Sequence, residues 1–187
     1  MPGQVEIINI ALARLGESPI QSLDEGSVPA NAAKLVYEEE RRAALRGYPW
    51  NFALKKECLA RLEEGAVDFR GAFALPADCL RITEVTDAET KQSLRYVTRG
   101  RTICADADRI LVEYVSDIKD TSLYDSKFVE LLTYRLASAL AMPVKGSPEL
   151  MANYMNLYNS LASEAAVQSA REEKNRISDN PYLEARM

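Results

Sequence analysis

Carboxylates are the first residues of this chain whose types could do acid–base chemistry. Residues 38–40 are three consecutive glutamates followed by two arginines, and Asp106 and Asp108 are separated by one alanine. Acids with neighbouring counterions are typical of a solvated helix face, and the Asp106–Asp108 spacing is typical of a turn. Without a signal for a cleft between paired acids, these residues do not predict a glycosidase.

Nucleophilic and metal chemistry are limited because the chain has no histidine. It therefore has neither a Ser-His-Asp nor a Cys-His arrangement, and it lacks the commonest metal ligand. Cys58, Cys79 and Cys104 form no CxxC pair, so we interpret them as small apolar residues in strands of a reduced protein. The sequence also has no glycine-rich phosphate loop. We expect no catalytic residue, no cofactor and no metal.

The overall charge bears on possible partners. A net charge of −5 and a pI near 5.0 argue against a dedicated nucleic-acid binder, whose affinity rests on cations that neutralise phosphates. One alternative stays open, a nucleic-acid-binding module that uses Arg41, Arg42 and Arg46 as a basic stripe, although the preceding glutamates count against it. No segment approaches the roughly 20 apolar residues that a membrane span needs, and the first residues are not signal-like, so we expect a soluble protein.

Four segments of the sequence are predicted to form helices. Apolar residues recur at helical spacing over about 3–16, 29–46, 125–141 and 148–175. Gly16 and Pro49 stop the first two segments, Asp125 or Ser126 caps the third, and Ser147 caps the fourth. The fourth helix would be on the order of 40 Å long, more than one compact core demands.

Between the second and third helices the period changes to that of strands. Phe52, Leu54, Cys58, Ala60 and Leu62 occupy alternate positions, which predicts a half-buried strand. Further strands are predicted over 79–86, at 97–103 with a turn at Arg99-Gly100, and over 109–115. No helical crossover separates them, so we expect a small antiparallel sheet.

This order of elements predicts the fold class. We expect an α+β protein, mainly α, with a four-helix core built from both chain ends, 1–49 and 117–175. The small antiparallel sheet of residues 50–116 would be an insertion, and residues 176–187 would form a C-terminal docking tail.

Aromatic residues give the candidate interaction residues. Trp50 follows Tyr48 and Pro49 where the second helix ends, and we interpret it as a core residue at the helix–sheet junction, with an intersubunit anchor as the alternative.

The end of the chain gives the other three candidates. Asn180-Pro181 breaks helix, so Tyr182, Leu183 and Arg186 cannot simply continue the helical core. Tyrosine and arginine are enriched among docking anchors, and a frayed terminus is the alternative.

Several segments together resemble a known family. The segments IINIALARLGESPI at 7–20, GYPWNFA at 47–53, FALPADCLR at 73–81 and YLEAR at 182–186 resemble, in order and spacing, the tail tubular protein A family. These proteins are the adaptors, or gatekeepers, of short-tailed phages. The resemblance runs over nearly the whole chain.

The resemblance implies a structural role in a virion and no enzymatic activity. The expected assembly is a ring, typically of twelve copies, that docks beneath the portal protein, extends the DNA channel and gives the tail nozzle protein its platform. Genomic DNA would pass through the lumen without specific binding, because like charge disfavours adhesion. The protein would lie at the head–tail junction, after assembly in the bacterial cytoplasm. A tail-associated hydrolase is a further alternative, and it would need a cleft with paired carboxylates.

Overall fold

The computed structural model describes residues 2–63, 65 and 68–178. The chain divides into two compact units. The strand unit comprises Arg41–Tyr124, and the helical unit comprises Pro2–Glu40 together with the chain from Asp125 onward. The helical unit is therefore built from both sides of the strand unit in sequence.

Helices form where the sequence predicts them. In the described part of the chain they are α1 (Gln4–Arg14), α2 (Val28–Gly47), α3 (Ser126–Leu140) and α4 (Pro148–Ser178). Residues of α2 up to Glu40 belong to the helical unit, and its last two turns belong to the strand unit. The α+β, mainly α, fold class is confirmed.

The ends of α3 and α4 follow the predicted signals. Asp125 caps α3, and its carboxylate accepts from the Lys127 N–H at 2.6 Å. Residues Ala141–Lys145 then form one π-helical turn that contains Pro143. Gly146 follows with φ at +61°, a conformation that glycine adopts without strain. The Ser147 hydroxyl accepts from the Leu150 N–H at 3.2 Å and caps α4, which continues three residues beyond its predicted end at 175.

The core of the helical unit is centred on α3, against which α1 and α4 pack. Ile8 and Leu12 of α1 and Leu132 and Leu136 of α3 are fully buried. Burial of each such side chain contributes about 1.5–3 kcal/mol relative to exposure. The amphipathic pattern of the sequence is thus satisfied by helix–helix packing within this unit.

The strand unit contains two sheets, where the sequence predicted one. Both are antiparallel and three-stranded, with the orders β1-β6-β3 and β2-β5-β4. The strands are β1 (Leu54–Ala60), β2 (Gly71–Ala74), β3 (Cys79–Asp87), β4 (Tyr96–Arg99), β5 (Thr102–Ala105) and β6 (Arg109–Ser116). The sequence did not predict β2, which pairs with β5. Alternation shows that a strand exists but not which strand pairs with it.

The predicted phase of β1 is wrong. Leu59 is the buried residue of this strand, at 9% exposure, while Cys58 and Ala60 are exposed. β1 is an edge strand that pairs only with β6 in its sheet, and burying the larger leucine removes more apolar surface from water than burying cysteine and alanine. A shift by one residue moves every side chain of a strand to the other face.

Both sheets contribute to one apolar core in the strand unit. Its fully buried members include Phe73 of β2, Ile103 of β5 and Ile110 and Val112 of β6. The predicted hairpin between β4 and β5 is confirmed, with Gly100 at its turn in the left-handed region, φ +61°.

Trp50 lies inside the strand unit, just after α2 ends. Its indole is 7% exposed, and Nε1 donates to the Ala44 carbonyl at 3.2 Å. The ring meets the Tyr48 ring edge-on, with the centroids 5.0 Å apart, and the Phe52 ring at 6.1 Å. This position supports the interpretation of Trp50 as a core residue and leaves it little surface for contact with a partner.

A buried ion pair also holds the end of α2 within the strand unit. The Arg41 side chain is 1% exposed, and its Nη2 lies 2.6 Å from Oδ1 of Asp117. The Arg41 Nη1 donates to the Ile118 carbonyl at 2.7 Å, and Arg42 Nε donates to Asp117 Oδ2 at 3.1 Å. One carboxylate thus binds two guanidinium groups from consecutive residues.

We predict that Trp50→Ala lowers the free energy of unfolding by about 3–5 kcal/mol, because the substitution leaves a cavity and an unsatisfied carbonyl. Denaturant unfolding measures the change. The matched control is Leu35→Ala, which truncates a side chain that is 81% exposed and should leave the midpoint unchanged. Equal midpoints for both variants would contradict the core assignment.

We also predict that Asp117→Asn lowers the free energy of unfolding by about 3–5 kcal/mol, because it removes the carboxylate that pairs with the buried Arg41 and with Arg42. Asp24→Asn is the control, since Asp24 pairs with Lys34 on the surface, with side-chain exposures of 82% and 59%. Chemical denaturation of the two variants at the same ionic strength makes the comparison. A loss for Asp117→Asn no larger than for the control would show that the pair does not stabilise the fold.

Candidate interaction surfaces

The turn carboxylates are held by arginines and do not face each other across a cleft. Asp106 accepts from the Arg70 N–H at 2.9 Å, and Asp108 pairs with the side chains of Arg61 and Arg70. Their role in a turn between β5 and β6 agrees with the sequence interpretation.

Glu40 departs from the predicted solvated helix face. Its Oε2 lies 2.5 Å from Nε of Arg135 on α3, and the two side chains are only 18% and 21% exposed. The Arg135 guanidinium also lies over the Tyr158 ring, 5.1 Å from its centroid. Glu40 therefore joins α2 to α3 within the helical unit, whereas Glu39 is exposed as expected.

The cysteines lie in strands, as predicted. Cys58 is in β1, Cys79 in β3 and Cys104 in β5, and all three are free thiols. Burial raises the pKa of the Cys79 thiol, and the charges of Arg101 and Arg46 only partly oppose this effect. In the part of the chain that the structure describes, no three His, Cys, Asp or Glu side chains are grouped to hold a metal ion.

A polar cluster surrounds the hydroxyl of Tyr114 on β6. This hydroxyl donates to Asp78 at 3.1 Å or to Glu57 at 3.3 Å, and Lys55 Nζ lies 2.6 Å from the other Asp78 oxygen. Burial on its own would raise the pKa of Asp78, but the hydrogen bonds from Lys55 and Tyr114 outweigh it and hold the pKa below its ordinary value. Burial and the two carboxylates raise the pKa of Tyr114 far above its ordinary value, so the phenol stays a donor at neutral pH.

The basic stripe of the nucleic-acid alternative is not available as a surface. Arg41 is buried, and both Arg41 and Arg42 are bound to Asp117. Of the three arginines, Arg46 remains exposed without a carboxylate partner among the described residues. A phosphate would have to displace a buried ion pair to reach Arg41.

Arg46 instead belongs to a different group, which we call the arginine patch: Arg46, Arg81 and Arg101 of the strand unit. The charges of Arg46 and Arg101 act on the Cys79 thiol, and the Arg81 backbone N–H donates to it. Arg81 Nη1 donates to the Gly47 carbonyl at 3.4 Å, and the Arg101 guanidinium donates to the Pro76 carbonyl. No carboxylate of the described chain forms an ion pair with any of the three. Asp78 is the nearby acid, and it is already paired with Lys55.

The tyrosines Tyr154 and Tyr158 of α4 lie at the edge of the core. Tyr158 is 9% exposed, and the Tyr154 hydroxyl donates to the Arg14 carbonyl. The Arg14 guanidinium lies 3.7 Å from the centroid of the Tyr134 ring on α3. These contacts join α1, α3 and α4 and leave the tyrosines no free binding face.

Exposed apolar side chains mark a second surface, on the first part of α2. Val28 is 64% and Leu35 is 81% exposed, and Glu39 continues the same line. Leu35 and Glu39 follow Val28 by seven and eleven positions, so at 3.6 residues per turn the three residues fall within an arc of about 40°. We call this line the α2 stripe. No cation of the described chain pairs with Glu39.

The α2 stripe and the arginine patch are the surfaces that sequence reasoning missed. Leu35 lies within the predicted second helix, and only the structure shows that it points to solvent. The patch joins the end of α2, β3 and the β4–β5 turn, which lie far apart in sequence. Of the predicted interaction residues, Trp50 is buried, and Tyr182, Leu183 and Arg186 lie outside the described residues.

None of the helices, so far as they are described, has the length and apolarity needed to span a membrane.

Comparison with known proteins identifies the family. The family model described as tail tubular protein matches residues 5–114, a segment that begins in α1 and ends within β6. No curated protein matches the chain significantly. The matched segment contains both the α2 stripe and the arginine patch. Because it covers more than half of the 187 residues, the chain belongs to the tail tubular protein family of phage tail structural components.

Proposed function

We propose that this tail tubular protein is a head–tail adaptor that forms a ring under the portal protein. The ring extends the DNA channel and gives the tail nozzle protein its platform. The observation that carries the proposal is the uncovered apolar surface of the helical unit, in which Leu35 is 81% and Val28 is 64% exposed on α2. Large apolar side chains at such exposure, in a protein of a tail family, fit surfaces that assembly covers.

In this proposal, different parts of the chain contact the portal side and the tail side. The long helix α4, with Met151 and Leu157 at 41% and 47% exposure, and the segment that contains Tyr182, Leu183 and Arg186 contact the portal or adjacent copies. The strand unit and its loop around residues 65–71 contact the tail side. The family resemblance supports twelve copies as the number in the ring.

The charge of the chain fits a conduit for DNA. The net charge of −5 disfavours adhesion of the passing duplex, so a ring of such chains adds little friction. Specific DNA binding through Arg41, Arg42 and Arg46 is not favoured, because Asp117 holds the first two. A tail-associated hydrolase is not favoured either, because Asp106 and Asp108 are bound to arginines in a turn.

We predict that the pure protein binds no stoichiometric metal and hydrolyses neither cell-wall nor capsule glycans. The sequence has no histidine and no CxxC pair, from which most zinc sites are built. Glycan hydrolysis needs two carboxylates that face each other, whereas Asp106 and Asp108 are bound to arginine in a turn. Elemental analysis and turnover assays with both glycan classes are the measurements. One zinc ion per chain, or sustained turnover, would contradict the structural role.

We predict that the segment after α4 is needed for portal binding but not for folding. Ordering a terminal segment costs roughly 1–2 kcal/mol of backbone entropy per residue, which only a partner can offset. The test compares the full chain with a chain that ends at Ser178, and with the double variant Tyr182→Ala, Arg186→Ala. All three are measured by thermal melting and by co-sedimentation with portal rings.

The expected result is the same melting temperature for all three chains and loss of portal binding in the two altered ones. A truncated chain that melts many degrees lower would show that the segment belongs to the core. A truncated chain that melts normally and still binds the portal would show that the segment is dispensable, and the docking assignment would then be wrong.

A further inference from the structure

The two units carry very different charge. The strand unit has 14 arginines and lysines against 13 acidic residues, whereas the helical unit has 9 against 15. The net charges are therefore +1 and −6, which together give the −5 of the chain. A protein with one acidic and one mildly basic part has surfaces that attract each other between copies.

The arginine patch contributes three of the cations of the strand unit. The arginine patch holds three guanidinium groups without a carboxylate partner among the described residues, and the nearest acid, Asp78, is neutralised by Lys55 at 2.6 Å. Arg46 and Arg101 are exposed and Arg81 is half-buried. Two of the guanidinium groups each donate to a backbone carbonyl, of Gly47 and of Pro76, which restricts their position and leaves further N–H donors for an external acceptor.

The α2 stripe has the complementary chemistry. It places Glu39, an exposed carboxylate, in line with the exposed side chains of Leu35 and Val28. An apolar strip that ends in a carboxylate fits an acceptor surface of apolar and cationic groups. Half-buried Tyr48 directly follows Gly47, whose carbonyl accepts from Arg81 of the patch, so an aromatic side chain is available near this arginine.

We propose that the arginine patch of one copy binds the α2 stripe of a second copy, and that this contact repeats head to tail around the ring. The inference rests on the proposed adaptor function and names the contact between its subunits. Because patch and stripe are different surfaces of one chain, the contact is heterologous, and heterologous contacts generate closed rings when the rotation closes. Double-stranded DNA could also occupy the patch, but binding of DNA there would leave the exposed apolar residues of the stripe uncovered.

The test reverses charge on each surface. The patch variant is Arg81→Glu with Arg101→Glu, and the stripe variant is Glu39→Arg. The matched control is Arg95→Glu, an exposed arginine of the strand unit close to Ser93, which bridges to Thr86 near the other end of β3 from Arg81. Assembly is measured by mass photometry, for the chain alone and on purified portal rings, and thermal melting confirms that each variant is folded.

The wild type and the control should form rings at the same concentration. Each reversal should raise the concentration needed by at least about tenfold, because like charges then face each other. A mixture of the two variants should recover rings in which the variants alternate, because the acidic patch of one meets the basic stripe of the other and the basic patch of the second meets the acidic stripe of the first. A chain that carries both reversals should recover rings, because the charges are exchanged. High salt should weaken the wild-type rings.

Other outcomes would overturn the inference. If every charge-reversed variant forms rings on the portal at the wild-type concentration, this contact is excluded and the adaptor function still stands. A wild type that stops at a symmetric dimer would show an isologous contact instead. Unchanged assembly of the patch variant, with loss of its binding to double-stranded DNA, would assign the patch to DNA. A wild-type chain that assembles neither alone nor on portal rings would refute the adaptor function and the subunit contact together.

Discussion

The burial of Arg41 is the constraint on which the strand unit depends most. A guanidinium at 1% exposure costs several kcal/mol of desolvation unless its charge is balanced and its donors are satisfied. Asp117 supplies the charge and the Ile118 carbonyl accepts a further hydrogen bond. The chain that follows β6 therefore passes beside the last two turns of α2.

Neighbouring contacts converge on the same short segment. The Ser116 N–H and hydroxyl both donate to the Ala53 carbonyl at 2.8 Å, and the Asp117 N–H donates to the Asp78 carbonyl at 2.8 Å. Residues 116–118 thus join the end of α2, the start of β1 and the start of β3. Trp50 packs beside Ala44 in the same region.

Sequence reasoning predicted what depends on local patterns. The four helices, the Asp125 and Ser147 caps and the hairpin at Gly100 follow from periodicity and from residues with one local role. The second sheet and the phase of β1 were not predicted, because pairing and register are decided by contacts between distant residues. The same reason explains why the burial of charged residues was not predicted. Arg41 and Glu40 read as a surface charge cluster in sequence, and only their partners Asp117 and Arg135 show that both are buried or half-buried.

A ring adaptor needs surfaces and not a catalytic centre, and the described residues fit that need. Their ionisable clusters are internally paired, as around Tyr114, while exposed apolar and cationic residues collect on α2 and beside β3. The central claim is assembly under the portal, and electron cryo-microscopy of the chain mixed with its purified portal ring tests it most directly. The account predicts a closed ring of copies on one face of the portal, coaxial with its channel. Portal particles without added density, or copies bound singly at scattered positions, would contradict it.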